Sequence, residues 1–166
     1  TIVSRNKIPS ETAVISITTI HGGDTFNVIP DSCELGGTVR AYTRETLDLI
    51  EQRVGEIARH TAAAHRAECE VEFTRMYPAT VNHAAETTFA RQVQTELVGA
   101  ERVRAQAPIM AAEDFSFMLN AVPGAYINMG NGATAGIHHP DYDFNDEAIG
   151  WGASYWMSLV RSRLPL

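Results

Sequence analysis

The chain has 166 residues, 45% hydrophobic and 20% charged, the balance of a globular protein with room for one ordinary domain or two small ones. A net charge of −7 with no basic stripe argues against nucleic acid as a partner, and no apolar run approaches the roughly 20 residues that span a bilayer. With no signal peptide and no C-x-x-C pair, a reduced, cytoplasmic setting and no membrane partner are expected.

The chain opens on Thr1-Ile-Val-Ser-Arg-Asn-Lys-Ile-Pro9 without an initiator Met, as though near the end of a helix in a longer protein. Pro9, Ser10 and Glu11 mark a loop, and the β-branched run from Ala13 to Ile20 reads as a strand. His21-Gly22-Gly23-Asp24 breaks it, and Asn27 to Asp31 is a second break. Cys33 to Tyr42 then alternates, with Cys33, Leu35, Gly37, Val39 and Ala41 on one side and Glu34, Gly36, Thr38, Arg40 and Tyr42 on the other: a strand with one buried face.

Thr43 reads as the N-cap of a helix whose apolar stripe is Leu47, Ile50, Val54, Ile57 and Thr61. His60 and His65 lie near its C-terminal end, where the dipole favours a cation, and read as surface residues. A third strand is expected over Glu68–Thr74, with Cys69, Val71 and Phe73 inward. Cys33 and Cys69 both fall in the apolar phase of a strand and read as reduced core residues, a disulfide being open only if the two strands are neighbours. Residues 1–76 thus form a small α+β unit.

Tyr77-Pro78-Ala79 is a crossing point. Asn82 to Gly99 reads as a helix with Phe89, Val93 and Leu97 on its packing side and His83 exposed; Met110 to Leu119 reads as a second helix. Ala125–Met129 is a short strand stopped by Gly130-Asn131-Gly132, and Glu147–Arg163 a final helix packing through Gly152, Tyr155, Trp156 and Leu159. Residues 77–166 hold one convincing strand, too little for a sheet covered on both faces, so they are expected to be one flank of a larger α/β domain.

Ala135 to Ala148 packs two imidazoles and four carboxylates into one loop that turns directly into the last helix. Imidazole and carboxylate are donors for divalent transition metals. Asp141, Asp143 and Asn145 alternate as in a calcium loop, but Asp146 stands where glycine is needed and Gly152 where a bidentate glutamate belongs, so that reading fails. Asn145, Asp146 and Glu147 are accounted for as helix-capping and dipole-matching residues; His138 is not. Pro140 suggests extended backbone around His138 and His139. A metal site needs three or more converging donors, more than this loop offers alone.

Four segments together resemble the M20 metallopeptidase family in its amidohydrolase branch, which includes hippurate, N-acyl-amino-acid and auxin-conjugate hydrolases: Ile20-His21-Gly-Gly-Asp-Thr-Phe-Asn27-Val-Ile-Pro30; Gly36-Gly-Thr-Val-Arg40; Ala111-Ala-Glu113-Asp114-Phe115; and Ile137-His138-His139-Pro140 with Tyr142-Asp-Phe-Asn-Asp146. The resemblance implies an α+β lid, a ferredoxin-like four-stranded antiparallel sheet with two helices on one face, over residues 1–76. It implies that residues 77–166 are the C-terminal part of an α/β zinc-peptidase-like catalytic domain.

It further implies His138 as a metal ligand and His21 as the catalytic imidazole that binds the oxyanion in a partner subunit. Asn27 and Arg40 would hold the substrate carbonyl and carboxylate, and Glu113 would line the substrate site. The remaining family ligands, a Cys-Gly-His-Asp-type segment, a Glu-Glu pair and a further His, do not occur in this sequence. The implied parent is a homodimeric hydrolase with two divalent ions, Zn²⁺ or Mn²⁺, acting on small N-acyl or N-aroyl amino acids. This chain alone is expected to bind no metal tightly and to be inactive. On residue type alone, Arg40 reads equally as a solvated strand residue and Asn27 as a turn residue. A non-catalytic dimerisation or binding module derived from the same fold is the alternative.

Overall fold

The β-branched run and the alternating run both fold as strands, β1 (Ala13–His21) and β2 (Glu34–Ala41), in the computed structural model, which describes residues 1–164. They pair antiparallel from Ala13 opposite Ala41 to His21 opposite Glu34. Between Ile17 and Thr19 the register shifts, and Thr18 is the extra residue of a β-bulge. Directly opposed residues share a face. Ala13, Ile15, Ile17 and Ile20 therefore lie with Ala41, Val39, Gly37 and Leu35. The other face carries Val14, Ser16, Thr19 and His21 with Arg40, Thr38, Gly36 and Glu34. Gly37 lets the strands close at the bulge: a Cβ there would overlap the Ser16 carbonyl oxygen and lie 3.1 Å from Ile17 Cα, neither of which can swing aside.

Helix α1 (Arg44–Ala64) starts where Thr43 accepts the Thr46 N–H at 3.2 Å. The buried Thr46 hydroxyl accepts from Thr43 and donates to the Glu11 carboxylate, tying the segment before β1 to the helix start. Ile50, fully buried, leads the apolar stripe, and α1 packs on β2. The helix ends in a Schellman-type cap, with Ala67 N–H on Ala62 C=O at 3.0 Å and Arg66 in the left-handed position at φ 59°.

The sheet has two strands among the described residues, where the family resemblance implied four, and one α-helix beside it rather than two. Residues 68–74, the expected third strand, keep the alternation, with Cys69, Val71 and Phe73 half-buried and Glu70, Glu72 and Thr74 exposed, but form no ladder. Alternation decides which side chains face inward; a ladder also needs a neighbouring backbone, and this segment is moored instead by Arg75. Its guanidinium reaches Asp48 at 2.6 Å and pairs with Glu51, both on α1, and those hydrogen bonds raise its pKa. Cys33 is exposed rather than in the core, because Leu35, Ile17 and Ile20 at that end of the apolar face are themselves 62%, 62% and 68% exposed. Neither cysteine forms a disulfide.

These elements form one compact unit, Thr1–Ala79, which also takes in Pro108–Glu113, a stretch the sequence pattern assigned to the second half. The second unit, Thr80–Ala107 with Asp114 onward, is built on α2 (Ala84–Val98), α3 (Phe115–Ala121) and α4 (Glu147–Arg163). Ala90 and Val93 of α2 are buried, as are Ala148 and Tyr155 of α4, and the two helices pack together. Arg163 sits 5.3 Å from the Phe89 ring centroid. Gly99, at φ 85°, ends α2.

Four expectations need correction in this unit. The helix expected from Met110 begins only at Phe115. Trp156 is 66% exposed: it follows the buried Tyr155 by one residue and so turns off the packing face. The strand expected over 125–129 has no backbone ladder, because side chains take its place. Asn82 Nδ2 donates to Tyr126 C=O at 2.8 Å, Tyr126 N–H donates to Asn82 Oδ1 at 2.7 Å, and Gly124 N–H donates to His83 Nδ1 at 3.2 Å. His83 is therefore half-buried rather than free on the surface.

Candidate functional site

In the first unit, the bulge decides where His21 points. His21 and Ser16 are five residues apart, which plain alternation would place on opposite faces; the extra Thr18 brings them onto one face with Thr38 and Arg40. That polar face lies opposite the one bearing Ile15 and Val39. His21 ends β1, exposed and across from Glu34, and Gly22 and Gly23 follow, the latter at φ 81°. Glu34 was not singled out by sequence, because only the pairing register reveals it as the neighbour of His21.

Arg40 is half-buried on β2, and its Nη1 donates to Thr38 Oγ1 at 3.0 Å. Six register steps separate Glu34 from Arg40, so His21 and Arg40 stand roughly 20 Å apart along the ladder. They share a face without forming one cluster. Asn27 lies in a turn of the exposed β1–β2 connection, whose Phe26, Val28 and Ile29 are also exposed. Glu113 is half-buried in the segment that joins the first unit before α3.

In the second unit, the loop bearing His138 is built from several interlocking hydrogen bonds. Gly136 C=O accepts from His139 N–H at 3.1 Å, closing a β-turn with Ile137 and His138 at its centre. His138 adopts φ 72°, the left-handed region, instead of the extended backbone expected from Pro140. Pro140 constrains only its immediate neighbour His139, and the turn sets the residue before that. Left-handed backbone at a non-glycine residue costs about 1–3 kcal/mol, and such residues concentrate at functional sites. The His138 side chain is exposed. His139 is occupied within the loop: its Nδ1 accepts from Asp141 N–H at 3.1 Å. Asn145 caps α4 as its position suggested, accepting Glu147 N–H at 3.0 Å, although the helical backbone already begins at Asp146.

As a metal donor set, the loop supplies one unencumbered imidazole. Among the described residues no three His, Cys, Asp or Glu side chains converge, so these residues do not by themselves fit a metal ion. No helix among the described residues is long and apolar enough to cross a membrane.

Residues 2–162 match the family model described as peptidase family M20/M25/M40. The chain is 34% identical over 160 residues to the hippurate hydrolase of Campylobacter jejuni, covering 96% of this chain and 42% of that protein. It is 33% identical over 168 residues to an IAA-amino acid hydrolase of Arabidopsis thaliana, covering 96% and 39%. Among solved structures, a Bacillus subtilis dinuclear metal-binding peptidase of the M20 family superposes with a TM-score of 0.77 at 30% identity, covering 89% of this chain and 40% of that one. The chain thus spans about two fifths of the length of the relatives it matches.

Proposed function

The chain belongs to peptidase family M20/M25/M40, and on that premise we propose that the protein carrying it is a metal-dependent amidohydrolase that cleaves the amide bond of N-acyl and N-aroyl amino acids. Hippurate and IAA-amino acids, the substrates in the relatives' names, share that bond. The observation that carries the proposal is the left-handed, exposed His138 at the head of a hydrogen-bonded loop, a strained placement that no packing role explains.

In this proposal the two units correspond to a lid, its sheet extended to four strands in the complete protein, and to part of the catalytic domain. His138 is one donor to a pair of divalent ions, Zn²⁺ or Mn²⁺, and the other donors come from elsewhere in the complete protein. When bound, the ions supply Lewis acidity toward the amide carbonyl. His21 donates a hydrogen bond to the oxygen that gains negative charge as the carbonyl becomes tetrahedral. Arg40 offers a planar fork to the substrate carboxylate, and its present partner, the Thr38 hydroxyl, is neutral and readily exchanged. Asn27 donates to the acyl carbonyl, and Glu113 lines the substrate site. Roughly 20 Å along the ladder exceeds the length of a small N-acyl amino acid, so in this reading the His21 and Arg40 that touch one substrate come from different copies.

Homodimerisation through the first unit, with His21 serving the partner's site, is part of the same proposal. The exposed Ile17, Ile20, Leu35, Phe26 and Ile29 support it, since large exposed apolar groups clustered on one hairpin mark association surfaces. The same patch would also serve a non-catalytic dimerisation module.

Assaying the complete protein on hippurate and other N-acyl amino acids with added Zn²⁺ or Mn²⁺ separates the two. His21→Ala is expected to lower kcat by roughly 10²–10³-fold, as loss of an oxyanion donor does. Arg40→Ala should raise KM more than it lowers kcat, because a carboxylate contact is made equally in ground and transition states. Wild-type rates in both His21→Ala and His138→Ala would refute the hydrolase assignment.

A further inference from the structure

We propose that the exposed apolar side of α4 is a helix-on-sheet interface, covered in the complete protein by a β-sheet that extends from residues 125–129 and takes its other strands from outside this chain. This rests on the reading of the second unit as part of a larger catalytic domain, and on no metal site. Ile149, Ala153, Trp156, Met157 and Val160 follow one another at helical spacings, and all five are exposed. At about 100° per residue they fall within one arc of about 100°. The buried Ala148 and Tyr155 lie on a second arc, about 120° away, and α4 packs there on α2. Glu147, Ser154 and Arg161 make a third, polar side.

Two apolar sides about 120° apart are the geometry of a helix lying in a layer on a sheet: a neighbouring helix beside it, the sheet beneath, solvent on the third side. A helix held between two layers would carry them about 180° apart. Since α2 takes the lateral side, the exposed one is left for the sheet. Among the described residues the second unit has no ladder of its own. The chain spans about two fifths of the length of its relatives, so their unmatched part is long enough to supply the other strands.

The strand from which such a sheet extends is present. Alternate residues of an extended backbone direct their N–H and C=O groups to the same edge. Gly124 and Tyr126 direct theirs to residues 82–83: Gly124 C=O accepts from His83 N–H at 3.0 Å, and Tyr126 exchanges two bonds with the Asn82 amide. The half-buried Ala125 and Ile127 face the opposite edge, where among the described residues their backbone groups have no hydrogen-bond partner. Such an edge calls for a neighbouring strand. The segment also adjoins α4, because a Cβ on Gly152 would lie 3.6 Å from Met129 Cε. Gly152 stands between the α2 side and the exposed apolar side, so a sheet growing from this segment starts at the margin of the face it is to cover.

The test uses the complete protein with one cysteine added, Val160→Cys or Ser162→Cys. Both positions are exposed, and they lie about 200° apart on α4, one on the apolar side and one away from it. Maleimide labelling is read peptide by peptide and hydrogen exchange amide by amide. The thiol of Val160→Cys should react at least roughly 100-fold more slowly than that of Ser162→Cys, and Ile127 N–H should exchange slowly, as groups reached only by local opening do. Equal labelling rates, rapid exchange at Ile127, or protection of Val160→Cys that vanishes on dilution to monomers (the mark of a second copy as the cover) would each overturn the proposal. Should Val160→Cys not fold, Met157 of the wild type takes its place. Dilute peroxide should oxidise its thioether at least roughly 10-fold more slowly in the folded protein than in urea, and similar rates would overturn the proposal. Hydrolysis of N-acyl amino acids is assayed on the same samples. Protection without hydrolysis refutes the proposed activity and keeps the interface; hydrolysis without protection does the reverse.

Discussion

Replacing His138 by glycine should make the metal-free protein more stable while abolishing its contribution to metal binding. At φ 72° the residue occupies backbone that costs about 1–2 kcal/mol for an L side chain. Glycine removes that cost but returns about 0.5–1 kcal/mol through its greater freedom in the unfolded chain. The imidazole is exposed, so little burial is lost with it. The net expectation is a gain of about 0.5–1 kcal/mol. His138→Ala is the control: it removes the ring but keeps the Cβ and its strain, so its metal-free stability should stay within about 0.5 kcal/mol of wild type. Urea or thermal unfolding of the complete protein in excess chelator reads both variants. If His138→Gly loses more than about 1 kcal/mol, the residue holds the fold together, and the strain has been misread.

Other substitutions probe the scaffold. Gly37→Ala forces a Cβ onto the Ser16 carbonyl and should cost about 1–3 kcal/mol, whereas Gly36→Ala meets the rotatable Thr19 hydroxyl and should cost less; equal costs in denaturant titrations would mean the bulge is not held as described. Ile50→Ala, at the most buried side chain of the first unit, should lose about 2–5 kcal/mol; a loss under 1 kcal/mol would show that α1 is not packed there. Burial raises the Tyr155 pKa above its ordinary 10.0. The folded protein thus holds that proton more tightly than the unfolded chain, and the associated stability is complete below pH 10 and lost as pH rises through the folded value. Tyr155→Phe should flatten the fall in stability above pH 10, and an unchanged slope would show that Tyr155 does not titrate in the folded state.

Helices α1, α2 and α4 and the two strands β1 and β2 are legible because periodicity and capping are local; the pairing of the strands is not. Thr43 caps α1, Gly99 ends α2, and the alternation of 33–42 became β2. Segments 68–74 and 125–129 carried strand signals without ladders, because pairing depends on a distant backbone that alternation does not encode. Side-chain amides and imidazoles can also occupy a strand's bonds, as Asn82 and His83 do at Gly124 and Tyr126. At the candidate site, residue chemistry singles out His138, but its left-handed turn is not encoded locally, since Pro140 restricts only His139. The bulge at Thr18 was equally hidden, although it decides which face His21 joins; only the paired Gly36-Gly37 hinted at it. Asn131 looked like one residue of a Gly-Asn-Gly stop, since nothing in sequence reveals that its amide reaches across to residues 143–145.

The most direct measurement is a crystal structure of the complete protein grown with Zn²⁺, with data collected at the zinc absorption edge. An anomalous peak about 2.0–2.1 Å from a ring nitrogen of His138, with that residue still at positive φ, is the expected result. A zinc peak bound wholly by other residues, with the His138 ring free in solvent, would contradict it.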